Sequence, residues 1–312
     1  MTEGSITLLK PGPLSLIQDF GRFGLSHLGL TQGGPVDDYA YSWANHLLSN
    51  PINSPSLEIT LGQCAIQINN DCLMSITGGD LQAKLDDQPI ANWSTFVAHK
   101  GQTLSFGLPK NGLRAYLAIK GGFKVPYSLT SASTVVREKI GGLTQDGAAC
   151  QAGQQLDFET HAIEAHQKPL SVTFRYTPNY NLPLKLRVIE GYQSEHFSDN
   201  AKSTFYGSTF TVNQNSNRMG YRLSGEAVES PNITMLSEGI ALGAIQIPKD
   251  GQPIILLNDR QTIGGYPKLG CIARIDLPRL AQAKPGQQIT FTKGDRIGLQ
   301  DVWSQWARFF GY

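Results

Sequence analysis

The chain has 312 residues, 40% of them hydrophobic, so it can bury the core of one large domain or of two ordinary ones. Lysine and arginine total 26 against 25 acidic residues, with no long run of like charge, which excludes the basic surface that nucleic-acid backbones require. No basic stretch precedes an apolar core at the start, and no apolar run reaches membrane-spanning length, so we expect a cytoplasmic protein.

The composition favours strands over helices. The 33 glycines and 17 prolines, with a charged fraction of only 16%, are typical of many short strands joined by tight turns. We therefore expect a mainly β protein with a few short helices.

The first helix is predicted over residues 37–48. Asp37 can cap its start, Asn50-Pro51 ends it, and its apolar positions recur at helical spacing. A second helix is predicted over residues 300–310, with four apolar residues on one side: Val302, Trp306, Phe309 and Phe310.

Strands are predicted from alternation and from a repeated pattern. Residues 113–119 alternate, and residues 254–257 form a continuous apolar run. The pattern Gly-Gln followed by alternating apolar positions occurs three times, and each copy predicts a glycine turn that leads into a strand. The copies are residues 101–106, 153–158 and 286–291.

A domain boundary is predicted near residue 170. Apolar periodicity fades between residues 160 and 181, and prolines and histidines cluster there, as in a connector. The two predicted domains are residues 1–170 and 171–312.

Self-contained catalytic motifs are absent from the sequence. It has no GxxxxGK[ST] phosphate loop, no GxGxxG after a strand, no HExxH and no GxSxG. Neither histidines nor cysteines have metal-ligand spacing, so we expect no metal site and four reduced, structural thiols. These residues are His27, His46, His99, His161, His166, His196, Cys64, Cys72, Cys150 and Cys271.

Polar residues concentrate in two loops rich in glycine. The first contains Asp19, Arg22 and His27, where the backbone could approach a ligand closely. The second contains Arg218 and Arg222, which could converge on a carboxylate or phosphate, or could be two solvated arginines.

A third polar cluster follows the apolar run at residues 254–257. Asp259 and Arg260 come directly after the predicted strand, and a strand end is a common place for a functional site. The alternative is that both side chains only organise a turn by pairing with the backbone.

Four stretches resemble the family of the C subunit of 5-oxoprolinase, also called KipA or allophanate hydrolase subunit 2. The similarity extends over about residues 6–295. The stretches are QDFGRFG (18–24), KGG (120–122), NRMGYRLSG (217–225) and GAIQIPKDGQPIILLNDRQTIGGYPK (243–268).

The resemblance implies a fold, partners and a reaction. The family is related to half of the carboxyltransferase region of urea carboxylase and is built from two cyclophilin-like β-barrel subdomains. Its implied partners are a KipI-type subunit and a lactam-utilisation subunit. The implied reaction is the ATP-dependent opening of 5-oxoproline to L-glutamate, with ATP bound by this chain or by a partner.

Roles for the candidate residues follow from that reaction, which needs cations for anionic groups and side chains for proton transfer. No metal ligand is proposed. The catalytic candidates are Asp19, His27, Asp259 and Arg260, and the substrate-binding candidates are Arg22, Arg218, Arg222, Gln246, Thr262, Tyr266 and Lys268.

Two other functions stay open from the sequence. One is carboxyl transfer from carboxybiotin to a urea-like amide. The sequence lacks a biotin attachment sequence, which counts against this function, and no biotin is expected on this chain. The other is a KipA-type regulator that binds a KipI-type kinase inhibitor without catalysis.

Overall fold

The computed structural model describes residues 3–164, 167–233 and 235–312. His166, one of the scattered histidines, lies outside the described residues. The chain divides into two compact units: unit 1 comprises Met1–Arg22 and Gly33–Asn181, and unit 2 comprises Phe23–Gln32 and Leu182–Tyr312. The boundary predicted near residue 170 falls in the segment before Asn181.

Unit 1 consists of two antiparallel sheets and one α-helix. The elements are β1 (Glu3–Pro11), β2 (Leu14–Gln18), α1 (Asp38–Leu47), β3 (Ser56–Thr60), β4 (Cys64–Ile68), β5 (Cys72–Asp80), β6 (Lys84–Leu85), β7 (Gln88–Pro89), β8 (Ser94–Ala98), β9 (Thr103–Ser105), β10 (Asn111–Ile119), β11 (Phe123–Lys124) and β12 (Gln155–Glu159). The strand orders of the two sheets are β11-β12-β1-β4-β9-β6-β7 and β2-β3-β10-β5-β8.

Unit 2 is built around a closed barrel of seven strands. The elements are β13 (Leu184–Glu190), α2 (Asp199–Gly207), β14 (Phe210–Val212), β15 (Gly220–Ser224), β16 (Glu238–Gly239), β17 (Ala244–Gln246), β18 (Ile254–Leu256), β19 (Ile263–Gly264), β20 (Lys268–Ile272), α3 (Leu277–Ala281), β21 (Gln288–Lys293) and α4 (Arg296–Phe310). The barrel order is β13-β20-β17-β18-β15-β14-β21, and the parallel pair β13–β21 closes it. A short antiparallel pair, β16–β19, accompanies the barrel.

The mainly β fold class is confirmed, and so are the predicted strands. None of the described helices is long and apolar enough to cross a membrane. The first predicted helix is α1, with Asp37 as its N-cap accepting a hydrogen bond from the backbone N of Ala40 at 2.9 Å. The second is α4, which begins four residues earlier than predicted because Asp295 caps it.

The repeated Gly-Gln pattern forms the same turn three times, at residues 99–102, 151–154 and 284–287. The third residue of each turn is a glycine with φ between 85° and 92°, a conformation that side chains with a Cβ disfavour. The glutamine that follows accepts a hydrogen bond, through its side-chain oxygen, from the first residue's backbone N at 2.8–3.2 Å. Local chemistry therefore specifies these turns in both units.

The core of unit 1 lies between its two sheets and contains three of the cysteines. Cys64, Cys72 and Cys150 are buried there as free thiols. Burial raises the pKa of Cys64 and of Cys72 to about 12 and that of Cys150 to about 11, because the thiolate is disfavoured away from water.

These thiols should make the stability of unit 1 fall at alkaline pH. Above pH ~9 the unfolded chain releases the three protons while the folded chain keeps them, which costs about 1–2 kcal/mol per thiol by pH 10. We expect the urea midpoint to fall less between pH 8 and pH 10 in the double variant Cys64→Ala/Cys72→Ala. Equal decreases in both proteins would contradict this.

Candidate functional site

Asp19, a catalytic candidate, is fully buried in unit 1 and holds a loop of that unit. Its Oδ1 accepts hydrogen bonds from the hydroxyls of Ser131 at 2.5 Å and Ser133 at 2.6 Å. Its Oδ2 accepts one from the backbone N of Ala132 at 2.7 Å. Both carboxylate oxygens are thus engaged in positioning residues 131–133.

Arg22 binds the same loop through backbone carbonyls. Its Nη2 donates to the oxygen of Ser133 at 2.6 Å, and its Nε donates to that of Ser128 at 3.1 Å. A Cβ on Gly141 would lie 2.1 Å from this Nη2, so glycine is needed beside the guanidinium. Arg22 is buried, and its contacts organise the backbone.

His27 belongs to unit 2, in a short 3-10 helix, Ser26–Leu28, and its side chain is exposed. Thr31 follows this short helix, and its hydroxyl donates a hydrogen bond to the carbonyl of Asn258 at 2.8 Å. This bond connects the chain after the helix to the residues that follow β18 in the same unit. Asp19 and Arg22 belong to unit 1, whereas the strand-end cluster belongs to unit 2.

Arg218 and Asp259 form a buried, two-point ion pair in unit 2. Nε of Arg218 lies 2.8 Å from one carboxylate oxygen and Nη2 lies 2.9 Å from the other, and both residues are 5% exposed. The backbone N of Asp259 also donates to the carbonyl of Arg218 at 3.0 Å. The pair joins the entry of β15 to the exit of β18, and removing one partner of such a pair typically costs about 3–5 kcal/mol.

Arg260 contacts the backbone of the strand end. Its Nε donates to the carbonyl of Ile240 at 2.9 Å and its Nη1 donates to that of Leu257 at 3.2 Å. Burial, followed by the nearby charge of Arg274, lowers the pKa of Arg260 to about 10. These contacts agree with the alternative in which the residues after β18 organise a turn.

Alternation along the barrel strands separates an apolar inner face from a mixed outer face. Tyr221, Ile245 and Ile255 point into the barrel core, whereas their neighbours Arg222 and Gln246 point outward. On that outer face is a cavity of about 120 Å³. It is lined by Asn215, Asn217, Met219, Gly220, Arg222, Gln246, Ile254, Leu256, Gln261 and Tyr266.

A second cavity, of about 260 Å³, lies beside β20 and has a charged cluster in its lining. Lys268 forms an ion pair with Glu238, which also accepts hydrogen bonds from the hydroxyl of Tyr192 and from Nε2 of Gln193. Lys268 and then Tyr192 hold the pKa of Glu238 below its usual value, and Glu238 raises the pKa of Tyr192.

The two cavities are neighbours in the sheet, because Gln246 of β17 pairs with Lys268 of β20. The structure therefore brings Arg222, Gln246 and Tyr266 into one cavity and places Lys268 at the next. Thr262, another predicted substrate-binding residue, is not among the lining residues of either cavity. Its backbone carbonyl accepts a hydrogen bond from the backbone N of Ile240.

Sequence reasoning missed three lining residues of the larger cavity: Tyr192, Gln193 and Glu238. The signal for the first two was available, because they follow Gly191 directly after strand β13. Nothing in the spacing of Glu238 indicated Lys268 as its partner.

No metal centre is formed within residues 3–164, 167–233 and 235–312: no three His, Cys, Asp or Glu side chains come close enough to hold an ion. The charged residues that line the two cavities are Arg222, Lys268 and Glu238.

The fold defines a β-barrel protein with two cavities on the outer face of the barrel. The model of the carboxyltransferase domain family, subdomains A and B, matches residues 28–293, and the chain belongs to this family. The predicted membership in the group of the C subunit of 5-oxoprolinase is confirmed by relatives that carry this name.

Two such relatives span nearly the whole chain. The C subunit of 5-oxoprolinase from Haemophilus influenzae is 35% identical over 95% of this chain and 93% of its own length. That of Escherichia coli is 34% identical over 92% of this chain and 91% of its own. The urea amidolyase of Lachancea kluyveri is 28% identical over 90% of this chain but only 16% of its own length.

Solved structures are similar along the same length. The crystal structure of TTHA0988 has a TM-score of 0.83 at 31% identity, over 93% of this chain, which in turn covers 56% of that one. The urea carboxylase of Kluyveromyces lactis has a TM-score of 0.89 at 26% identity, over 99% of this chain and 29% of its own.

The contacts of Arg260 predict a loss of stability when it is replaced. Arg260→Ala removes the N–H groups that donate hydrogen bonds to two backbone carbonyls. We expect this substitution to lower the free energy of unfolding by about 1–3 kcal/mol. Thermal unfolding and turnover per folded molecule should be measured together. Arg260→Lys, which keeps the charge but not the planar donor group, should not restore the stability. A hundredfold loss of turnover at unchanged Tm would instead assign Arg260 to charge stabilisation in the reaction.

Proposed function

We propose that the chain is the C subunit of an ATP-dependent 5-oxoprolinase, a cytoplasmic complex that opens 5-oxoproline to L-glutamate with ATP hydrolysis. The observation that carries the proposal is the 35% identity to a protein of that name along 93% of that protein's length. Similarity to the urea amidolyases is lower, at 28–29%.

The outer face of the barrel supports this substrate class. 5-Oxoproline has one carboxylate and one ring amide, so its site needs at least one cation together with amide or hydroxyl groups. Arg222 supplies a cation at the smaller cavity, where Gln246 supplies an amide and Tyr266 a hydroxyl. Lys268 supplies a second cation at the adjacent cavity.

The remaining candidates take a different part in this proposal. Asp19 and Arg22 hold a loop in unit 1, while Arg218 and Asp259 hold the strand end in unit 2. We assign Arg218 and Asp259 to positioning the backbone around the site, and Asp19 and Arg22 to positioning the backbone of unit 1. His27, which is exposed, remains the candidate for proton transfer.

ATP is proposed to bind with the help of a partner. The two cavities measure about 120 and 260 Å³, and both are smaller than the roughly 300–1,000 Å³ of sites for larger ligands. The sequence also lacks a phosphate loop. A nucleotide site shared with the KipI-type subunit or the lactam-utilisation subunit accounts for both observations.

The C-terminal helix offers a surface for such a partner. On α4, Ile297, Val302 and Phe309 are exposed by 68%, 48% and 55%. Large apolar side chains on one exposed helix favour a protein contact over a solvated surface.

Carboxyl transfer is the second candidate function. It is favoured by the structural similarity to a urea carboxylase, which extends over 99% of this chain with a TM-score of 0.89. Carboxybiotin would be delivered by another protein, since no biotin attachment sequence occurs here. ATP-dependent fixation of bicarbonate onto urea by a complex containing this chain would favour it over the first proposal.

Activity should require the partners. We expect the purified chain alone to release no glutamate from 5-oxoproline and ATP, because it lacks a self-sufficient catalytic motif. Co-expression with the KipI-type and lactam-utilisation subunits should give ATP-dependent glutamate release, measured with glutamate dehydrogenase. Robust turnover by the isolated chain would contradict obligate partnership, and a stable complex without turnover would favour the regulatory function.

Lys268→Met should lower kcat/KM of the assembled enzyme by about ten- to a hundredfold, the effect of losing a charged hydrogen bond worth about 1.5–3 kcal/mol. Lys249→Met is the matched control, because Lys249 is exposed in the turn after β17. Equal kcat/KM in both variants and the wild type would remove Lys268 from the site.

A further inference from the structure

The side-chain amide of Gln246 is buried on the outer face of β17 and is not fully hydrogen-bonded. The residue is 1% exposed, and its Nε2 has no hydrogen-bond partner among the atoms that the structure describes. Most buried polar groups in proteins are satisfied, and an unmade hydrogen bond costs about 1–3 kcal/mol. An orphaned amide that lines a cavity therefore indicates a ligand atom that completes it.

Glycine is required at the position that packs against this amide. Gly264 lies next to it in β19, and a Cβ there would come within 3.2 Å of Nε2 and within 2.7 Å of Ile240. The cavity holds about 120 Å³, the volume of about four waters at roughly 30 Å³ each. That space suits one small ring and is far too small for a nucleotide.

The remaining lining fixes the charge of that ligand. Arg222 is the only charged residue in the described lining of this cavity, and the other polar groups there are amides and the hydroxyl of Tyr266. A ligand with one carboxylate can pair with Arg222, and an uncharged acceptor oxygen elsewhere on it can receive the proton of the amide. Among the described lining residues, none carries a carboxylate that would oppose an anion.

We propose that Gln246 determines specificity in this cavity: its Nε2 donates to the ring carbonyl oxygen of a small cyclic amide whose carboxylate pairs with Arg222. This inference rests on the proposed function and assigns the substrate contacts within it. A carbonyl oxygen has two lone pairs, so one remains available for chemistry. A cyclic amino acid without the carbonyl leaves the amide unsatisfied and is therefore rejected.

Calorimetric titration of the full chain, alone and as the co-expressed complex, tests the proposal with three probes. They are 5-oxoproline, L-proline, which lacks the ring carbonyl, and 2-pyrrolidinone, which lacks the carboxylate. Gln246→Met should weaken the binding of 5-oxoproline and of 2-pyrrolidinone at least tenfold, or ~1.4 kcal/mol, and should not weaken the binding of L-proline. Arg222→Met should weaken the binding of 5-oxoproline and of L-proline and leave the binding of 2-pyrrolidinone unchanged.

A second measurement separates binding from folding. Gln246→Met replaces an unsatisfied amide by an apolar chain of similar length, so the Tm of the ligand-free variant should equal or exceed that of the wild type. A residue that only supports the barrel would lower the Tm when replaced. Gln246→Glu keeps the shape of the side chain but adds a negative charge. It should therefore weaken the binding of 5-oxoproline more than Gln246→Met does.

Three results would overturn the inference: no binding of 5-oxoproline by wild type in either form, equal affinity for 5-oxoproline and L-proline, or full affinity in Gln246→Met. The proposed function fails in a different way. Binding with the expected selectivity but without ATP-dependent glutamate release would reject the reaction and keep the cavity. Glutamate release with an unchanged KM in Gln246→Met would reject the role of Gln246 alone.

Discussion

Closure of the seven-stranded barrel is the constraint on which the site of unit 2 depends. A closed barrel of this size fills its interior with side chains, so every second residue of each strand is committed to the core. The side chains of Tyr221, Ile245 and Ile255 point into this core. Their strand neighbours Arg222 and Gln246 must therefore face outward. Successive residues of a strand point to opposite faces, and the polar side chains that line the cavities of this unit are therefore on the outside of its barrel.

Arginines have two physical roles in this molecule, and the roles depend on burial. Arg22 and Arg260 donate to backbone carbonyls, and Arg218 pairs with Asp259 through two hydrogen bonds, so each of these guanidinium groups fixes loops or strand ends. Arg222 is exposed at a cavity, where its charge is accessible to an anion. A planar group with five donors serves both purposes, and only its surroundings decide between them.

The similarity to both 5-oxoprolinase and urea carboxylase proteins shows how one fold accommodates related chemistry. Both substrate classes present an amide carbonyl, and a fold alone does not choose between them. In our proposal the choice depends on the charge around the cavity: a carboxylate-bearing lactam needs a cation such as Arg222, whereas urea is neutral. The small volume at Gln246 limits the ligand further.

The sequence by itself determined the features that depend on neighbours in the chain. The mainly β class, helix α1 with its Asp37 cap and the three Gly-Gln turns follow from composition, period and local hydrogen bonds. The short helices α2 and α3 were missed, because five to nine residues give too little periodicity to distinguish a helix from a loop.

Only the tertiary structure decided which polar residues face a cavity. Arg218 and Arg222 are four residues apart and look equivalent in sequence, yet one is buried against Asp259 and the other lines a cavity. The pairing of Lys268 with Glu238 and the unsatisfied amide of Gln246 depend on strand register and on the β16–β19 pair. Such contacts join residues distant in the chain, and sequence does not reveal them because hydrogen bonding and burial are set by neighbours in space.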